Sequence, residues 1–168
     1  MLALPPELRQ RFAQIRLLSL DVDGVLTDGG VFYTEYGDEL RRFDNRDGDG
    51  LMTLRDCGIE VVFVSLSPAR AMVHRGRKLR IHTTQNGVES KLDTVESIAQ
   101  GLGFRMSEVA HCGDDLDDLP LLQSVGLPLA VADAVAQVRA AAAYITERPG
   151  GRGAVREICD LLLAARET

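Results

Sequence analysis

"LLSLDVDGVLTDGG", residues 17–30, starts as an apolar run and ends in two aspartates, Asp21 and Asp23, one residue apart. Carboxylates this close repel, and both lose water if the run is a buried strand. A folded chain seldom keeps such a pair for structure alone, so a cation or a reaction is expected there. The apolar start is too short for a helix and does not alternate, which reads as a strand covered on both faces.

The same kind of run recurs at "EVVFVS" (60–65), "EVAHC" (108–112), "LPLAVA" (127–132) and "AAYIT" (142–146). Helical patterns lie between them: "GLMTLRDCG", "PARAMVHRGRKLR", "KLDTVESIAQGLG", "LDDLPLLQSVG" and "AVAQVRAAA". Gly58, Gly103 and Gly126 stand where helix C-caps are expected, and Asp133 where an N-cap is. This alternation predicts an α/β fold, a Rossmann-like doubly wound and mostly parallel sheet. "GGVFYTEYGDELRRF" (29–43) breaks the pattern and reads as a protruding β-hairpin, followed by a turn at "RDGDG". A tail (148–168) closes the chain, with a flexible "RPGGRG" leading into an amphipathic helix. Residues 1–168 are read as one domain without repeat or linker.

With 168 residues, 45% hydrophobic, the chain can bury a sizeable core, and its net charge of −6 argues against a nucleic-acid surface. Cys57, Cys112 and Cys159 are far apart, and His74, His82 and His111 form no ligand pattern, so zinc and disulfides are not expected. Neither a leader nor a membrane span is legible, and a cytoplasmic protein is the expectation.

In open α/β sheets the reactive crevice lies outside the carboxyl ends of the strands. Asp21 and Asp23 fall there, and so does "GDDLDD" (113–118). Oxygen ligands without neighbouring His or Cys suit Mg²⁺, which also binds phosphate oxygens and would relieve the repulsion between the paired acids. Ser65 at another strand end can donate to a phosphate oxygen, and Lys91 at a helix start can neutralise a phosphoryl group in transfer. Asp117 reads as a helix-start acid favoured by the dipole, the three histidines as structural, and Arg70, Arg75, Arg77, Lys78 and Arg80 as a solvated face. "GGRG" has no strand before it and no lysine after it, so it is not a P-loop.

The order D-x-D, Ser, Lys, G-D-D resembles the haloacid dehalogenase superfamily over nearly the whole chain. "DVDGVLTDG", "RDGDG", "GDDLDDLPLL" and "GGRGAVREICDLLL" are similar to its small capless branch, which contains the phosphatases of octulosonate 8-phosphate and nonulosonate 9-phosphate sugar acids. The resemblance implies that Asp21 attacks phosphorus and Asp23 serves as acid and base. Asp21, the Asp23 carbonyl and Asp114 hold Mg²⁺, and Ser65 and Lys91 bind phosphoryl oxygens. It makes Asp115 and Asp118 outer acids that orient Lys91 and nearby water, with direct reach to the metal open for Asp115. Arg46, Arg75 and Lys78 become substrate-side residues, Arg46 sharing with Asp47 the alternative of merely shaping the turn. The substrate implied is a 2-keto-3-deoxy sugar-acid phosphate, octulosonate 8-phosphate first and nonulosonate 9-phosphate as the alternative. Ser67 departs from both patterns, which place an arginine or an acid there. The resemblance also implies a homotetramer in which the hairpin, with Val31, Phe32, Tyr33 and Tyr36, closes a neighbour's site, the tail helping to cover it. A receiver-like signalling domain fits poorly, because its phosphorylated aspartate ends a middle strand. A non-catalytic oligomerisation scaffold is the remaining rival.

Overall fold

The computed structural model describes residues 4–167. In chain order the elements are α1 (Pro6–Ala13), β1 (Leu17–Leu20), the hairpin strands β2 (Phe32–Tyr33) and β3 (Glu39–Leu40), α2 (Asn45–Asp56), β4 (Glu60–Ser65), α3 (Ala71–Lys78) and β5 (Thr83–Asn86). They continue with α4 (Lys91–Gly101), β6 (Val109–Gly113), α5 (Leu119–Leu122), β7 (Leu127–Ala130), α6 (Ala136–Ala141), β8 (Tyr144–Ile145) and α7 (Ala154–Arg166). Among the described residues the sheet runs β5-β4-β1-β6-β7-β8 with every neighbouring pair parallel, and β2 and β3 pair antiparallel outside it. The doubly wound sheet and its protruding hairpin are those expected from the sequence.

β1 is central because each of its residues is buried, and successive side chains point to opposite faces. Leu18 and Leu20 join Val61, Phe63, Ala110 and Cys112 in a cluster with Phe12 of α1, Leu51 and Leu54 of α2 and Ile158 of α7. Leu17, Val62, Val64 and Val109 face the other way, onto Val95 and Ala99 of α4 and Leu121 of α5. Each large side chain so buried contributes about 1.5–3 kcal/mol. The chain leaves β1 for β4 on one side and later returns to β6 on the other, so the carboxyl end of β1 is the switch point where such sheets form their crevice.

Several local expectations are corrected. β5, "TTQN", is a strand without an apolar run, because an edge strand that is only partly covered needs no apolar face. "RDGDG" is helix rather than turn: Asp44 caps α2 by accepting from the Arg46 N–H at 2.8 Å. A Cβ on Gly50 would press on Arg156 and Cys159 of α7, so this glycine permits helix contact instead of ending the helix. Gly58 and Gly103 take the left-handed conformation expected after helices, φ +82° and +71°. Gly126 does not; it passes against the Ser107 backbone. Asp133 caps no helix and instead accepts from the Gly150 N–H at 2.9 Å. The "RPGGRG" glycines are buried rather than loose, Gly151 N–H donating to the Val25 carbonyl at 2.9 Å.

A Cβ on Gly150 would overlap the Gly24 carbonyl oxygen, a backbone atom that cannot move aside, whereas one on Gly101 meets nothing. Gly150→Ala is expected to cost about 1–3 kcal/mol or more, while Gly101→Ala stays neutral or gains up to about 1 kcal/mol; thermal unfolding of both variants checks this.

Candidate active site

Asp21 follows β1 directly, its N–H donating to the Cys112 carbonyl of β6 at 3.1 Å, and its residue surface is only 6% exposed. The chain then turns tightly through Gly24, φ +94°, closing with the Thr27 N–H on the Val22 carbonyl at 3.0 Å. The Thr27 hydroxyl accepts from Gly24 N–H at 3.3 Å and Gly29 N–H at 3.2 Å, so this loop presents Asp21 and Asp23 as a fixed pair. A Cβ on Gly24 would occupy the space that the Asp114 carboxylate fills.

Lys91 is the hub. As first residue of α4, behind the Ser90 cap, it sends a side chain 2% exposed into the strand ends. Its Nζ lies 2.8 Å from Asp21 Oδ1, 2.6 Å from Asp117 Oδ2 and 2.6 Å from Asp118 Oδ1. Burial pushes its pKa down, but Asp21 and Asp118 overcome that and hold it above the ordinary lysine value.

Asp118 is fully enclosed and fully engaged. Its Oδ1 meets Lys91 and, at 2.9 Å, His111 Nε2, and its Oδ2 accepts from the Asp114 and Asp115 N–H groups at 3.0 and 3.3 Å. Burial raises a carboxylate's pKa, yet the bond to His111 and the charge of Lys91 hold Asp118 well below the usual range. His111 Nδ1 in turn lies 3.1 Å from the Ser19 hydroxyl, on the α4 face of the sheet, so its place is structural as expected.

A cavity of about 360 Å³ opens over these groups, lined by Asp21, Asp23, Ser65, Leu66, Ser67, Asp114, Asp115 and Asp117. Asp21, Asp23, Ser65, Asp114 and Lys91 are therefore brought together by the ends of β1, β4 and β6 and the start of α4. Asp117 also belongs here as a third carboxylate on Lys91, beyond the dipole role expected of it. Asp115 does not touch Lys91; it is exposed and accepts from the Leu116 N–H at 2.7 Å. Arg46 lines neither this cavity nor the neighbouring groove, because its guanidinium closes on the Asp44 carboxylate at 2.9 and 3.2 Å. Asp47 points away from the crevice and accepts from the Arg156 N–H of α7 at 2.8 Å. Arg75 and Lys78 line a separate groove of about 620 Å³.

Sequence reasoning missed Arg41. Just past β3, it turns back to Asp23 with Nε 2.7 Å from Oδ1 and Nη2 3.2 Å from Oδ2.

The donor set suits a hard divalent cation. Carboxylate oxygens of Asp21, Asp114 and Asp118 lie within 4.8 Å of one another, and no sulfur or imidazole is among them. Asp118 is committed to its four donors, which leaves Asp21 and Asp114. Burial, then the negative charge of Asp118, raises the Asp21 pKa to about 8; burial also raises Asp114 to about 6. Both shifts arise first from burial, with the charge of Asp118 adding to it.

A profile of the haloacid dehalogenase-like hydrolases matches residues 66–158. The chain belongs to that family. It is 41% identical to the 3-deoxy-D-manno-octulosonate 8-phosphate phosphatase of Yersinia pestis over 158 residues, 94% of this chain and 84% of that protein. The Escherichia coli enzyme of the same name is 43% identical over 152 residues, 90% of this chain and 81% of that one. The crystal structure of the Moraxella catarrhalis phosphatase, in complex with magnesium, phosphate and 3-deoxy-D-manno-octulosonate (KDO), superposes with a TM-score of 0.93 at 36% identity, covering 95% of this chain and 92% of that one.

Asp118→Asn should cost about 3–5 kcal/mol in chemical denaturation near neutral pH, because Lys91 loses its enclosed partner. A folded pKa below the unfolded one stabilises above the unfolded value and ceases to as pH falls through the folded one, so the gap to wild type should narrow below about pH 4. In contrast, acids with raised pKa must release protons to take up a cation. Added Mg²⁺ should therefore raise the melting temperature more at pH 8.5 than at pH 6.

Proposed function

We propose that this protein is a Mg²⁺-dependent phosphatase of a 2-keto-3-deoxy sugar-acid phosphate, and specifically of 3-deoxy-D-manno-octulosonate 8-phosphate. One observation carries the reading: Asp21 stands at the switch point of the sheet with one oxygen on Lys91, beside Asp23, Ser65 and Asp114 in one cavity. The similarity of nearly the whole chain to phosphatases of that substrate supports it.

Asp21 attacks phosphorus, and as the bond from its oxygen forms, the bond to the sugar oxygen breaks. Asp23 gives its proton to that leaving oxygen and then takes one from the water that cleaves the aspartyl-phosphate. Lys91 stabilises the nucleophilic carboxylate and, with Ser65, meets the phosphoryl oxygens. Mg²⁺, held by Asp21, Asp114 and the backbone carbonyl of Asp23, would neutralise charge on the phosphoryl group. Asp117 and Asp118 keep the Lys91 ammonium in place throughout.

The same reading makes the chain one catalytic domain and a cytoplasmic enzyme; among the described residues no helix is long and apolar enough to cross a membrane. It also makes the protein a homotetramer, a proposal supported by Phe32, Tyr33 and Tyr36 on the hairpin, which are 61%, 67% and 92% exposed.

Phosphate release with Mg²⁺ tests the reading on a panel of 3-deoxy-D-manno-octulosonate 8-phosphate, nonulosonate 9-phosphates and glucose 6-phosphate. Preference for the octulosonate is expected, with loss of at least about 10³-fold in Asp21→Asn. Preference for a nonulosonate would move the substrate while leaving the chemistry intact. A fully active Asp21→Asn variant would overturn the mechanism.

A further inference from the structure

Arg41 separates two cavities of opposite character. On one side its partners Asp23 and Ser67 line the acidic cavity; on the other Arg41 itself lines the groove with Arg70, Arg75 and Lys78. Its side chain is 5% exposed. Besides both Asp23 oxygens, it reaches Glu39 Oε2 at 2.8 Å and Ser67 Oγ at 3.4 Å. Glu39 is itself fixed across the hairpin, accepting from the Tyr33 hydroxyl at 2.9 Å.

This arrangement covers Asp23. Both its carboxylate oxygens are engaged by the guanidinium fork, so a leaving oxygen has to compete with Arg41 for them. Drawn away from Asp23, the guanidinium would keep Glu39 as a partner but lose both charge-assisted bonds to Asp23. A second anion in the place of Asp23 would restore the double pairing of Arg41. The basic groove beyond Arg41 is where a substrate's second anionic group would arrive.

We propose that Arg41 is a specificity residue that exchanges partners: it covers Asp23 in the free protein, and a substrate with a carboxylate beyond its phosphoester takes over the guanidinium and uncovers Asp23. The inference rests on the phosphatase reading above and adds a reason for the enzyme to reject uncharged sugar phosphates. A neutral sugar brings no replacement anion, so Asp23 stays covered and the ester is bound without being cleaved.

The test compares wild type, Arg41→Gln and Arg41→Lys on 3-deoxy-D-manno-octulosonate 8-phosphate and glucose 6-phosphate, with thermal melting recorded for each. Arg41→Gln should lower kcat/KM for the sugar acid by about 30-fold or more, mainly through KM, and raise it for glucose 6-phosphate. Arg41→Lys, which restores the charge but not the fork, should recover part of the preference and serves as the test if the glutamine variant does not fold. Equal losses on both substrates, an unchanged ratio, or a lysine variant no better than glutamine overturns the exchange. A wild type that cleaves both substrates equally well removes this inference alone. A wild type that cleaves neither removes the phosphatase reading with it.

Discussion

The site depends on one buried ammonium. Lys91 carries the positive charge set among Asp21, Asp117 and Asp118, of which Asp21 follows β1 and the other two are neighbours in the turn after β6. Burying the lysine without them would be costly, and burying Asp21 and Asp118 without the lysine would be costlier still. The ion cluster therefore ties α4 to the ends of β1 and β6. The cluster is also unbalanced. The charge it leaves over is what a divalent cation and a phosphoryl group together can settle.

Asp118 shows how the sheet serves this arrangement. Strand alternation puts Ser19 and His111 on the α4 face, where apolar residues would otherwise stand, and they hold Asp118 from behind while its other oxygen gathers the Asp114 and Asp115 amides. A polar line thus crosses an apolar layer without an unpaired group along it. Arg41 plays the corresponding part for Asp23, but from the hairpin side and through a partner that can be exchanged.

Much of this was legible in the sequence, for identifiable reasons. Asp21, Asp23, Ser65, Lys91 and Asp114 could be found because strand ends are marked by apolar runs that stop abruptly, and chemistry gathers there. β5 could not, since "TTQN" carries no apolar signal. The α2 start was hidden by two glycines that read as a turn until α7 is seen packed against Gly50. Arg41 is one of two adjacent arginines in "ELRRF", and only the hairpin's path decides that it, and not Arg42, faces Asp23. Arg46 is held by its nearest acid, Asp44, two residues away.

As the nucleophile of the proposed mechanism, Asp21 carries the phosphoryl group during turnover. Acid quenching of the enzyme during steady-state cleavage of 3-deoxy-D-manno-octulosonate 8-phosphate, followed by peptide mass spectrometry, tests this directly. The prediction is a phosphorylated peptide bearing the modification on Asp21, absent without Mg²⁺. Phosphate release with Asp21 unmodified and the group found on Asp114 or another acid would contradict it.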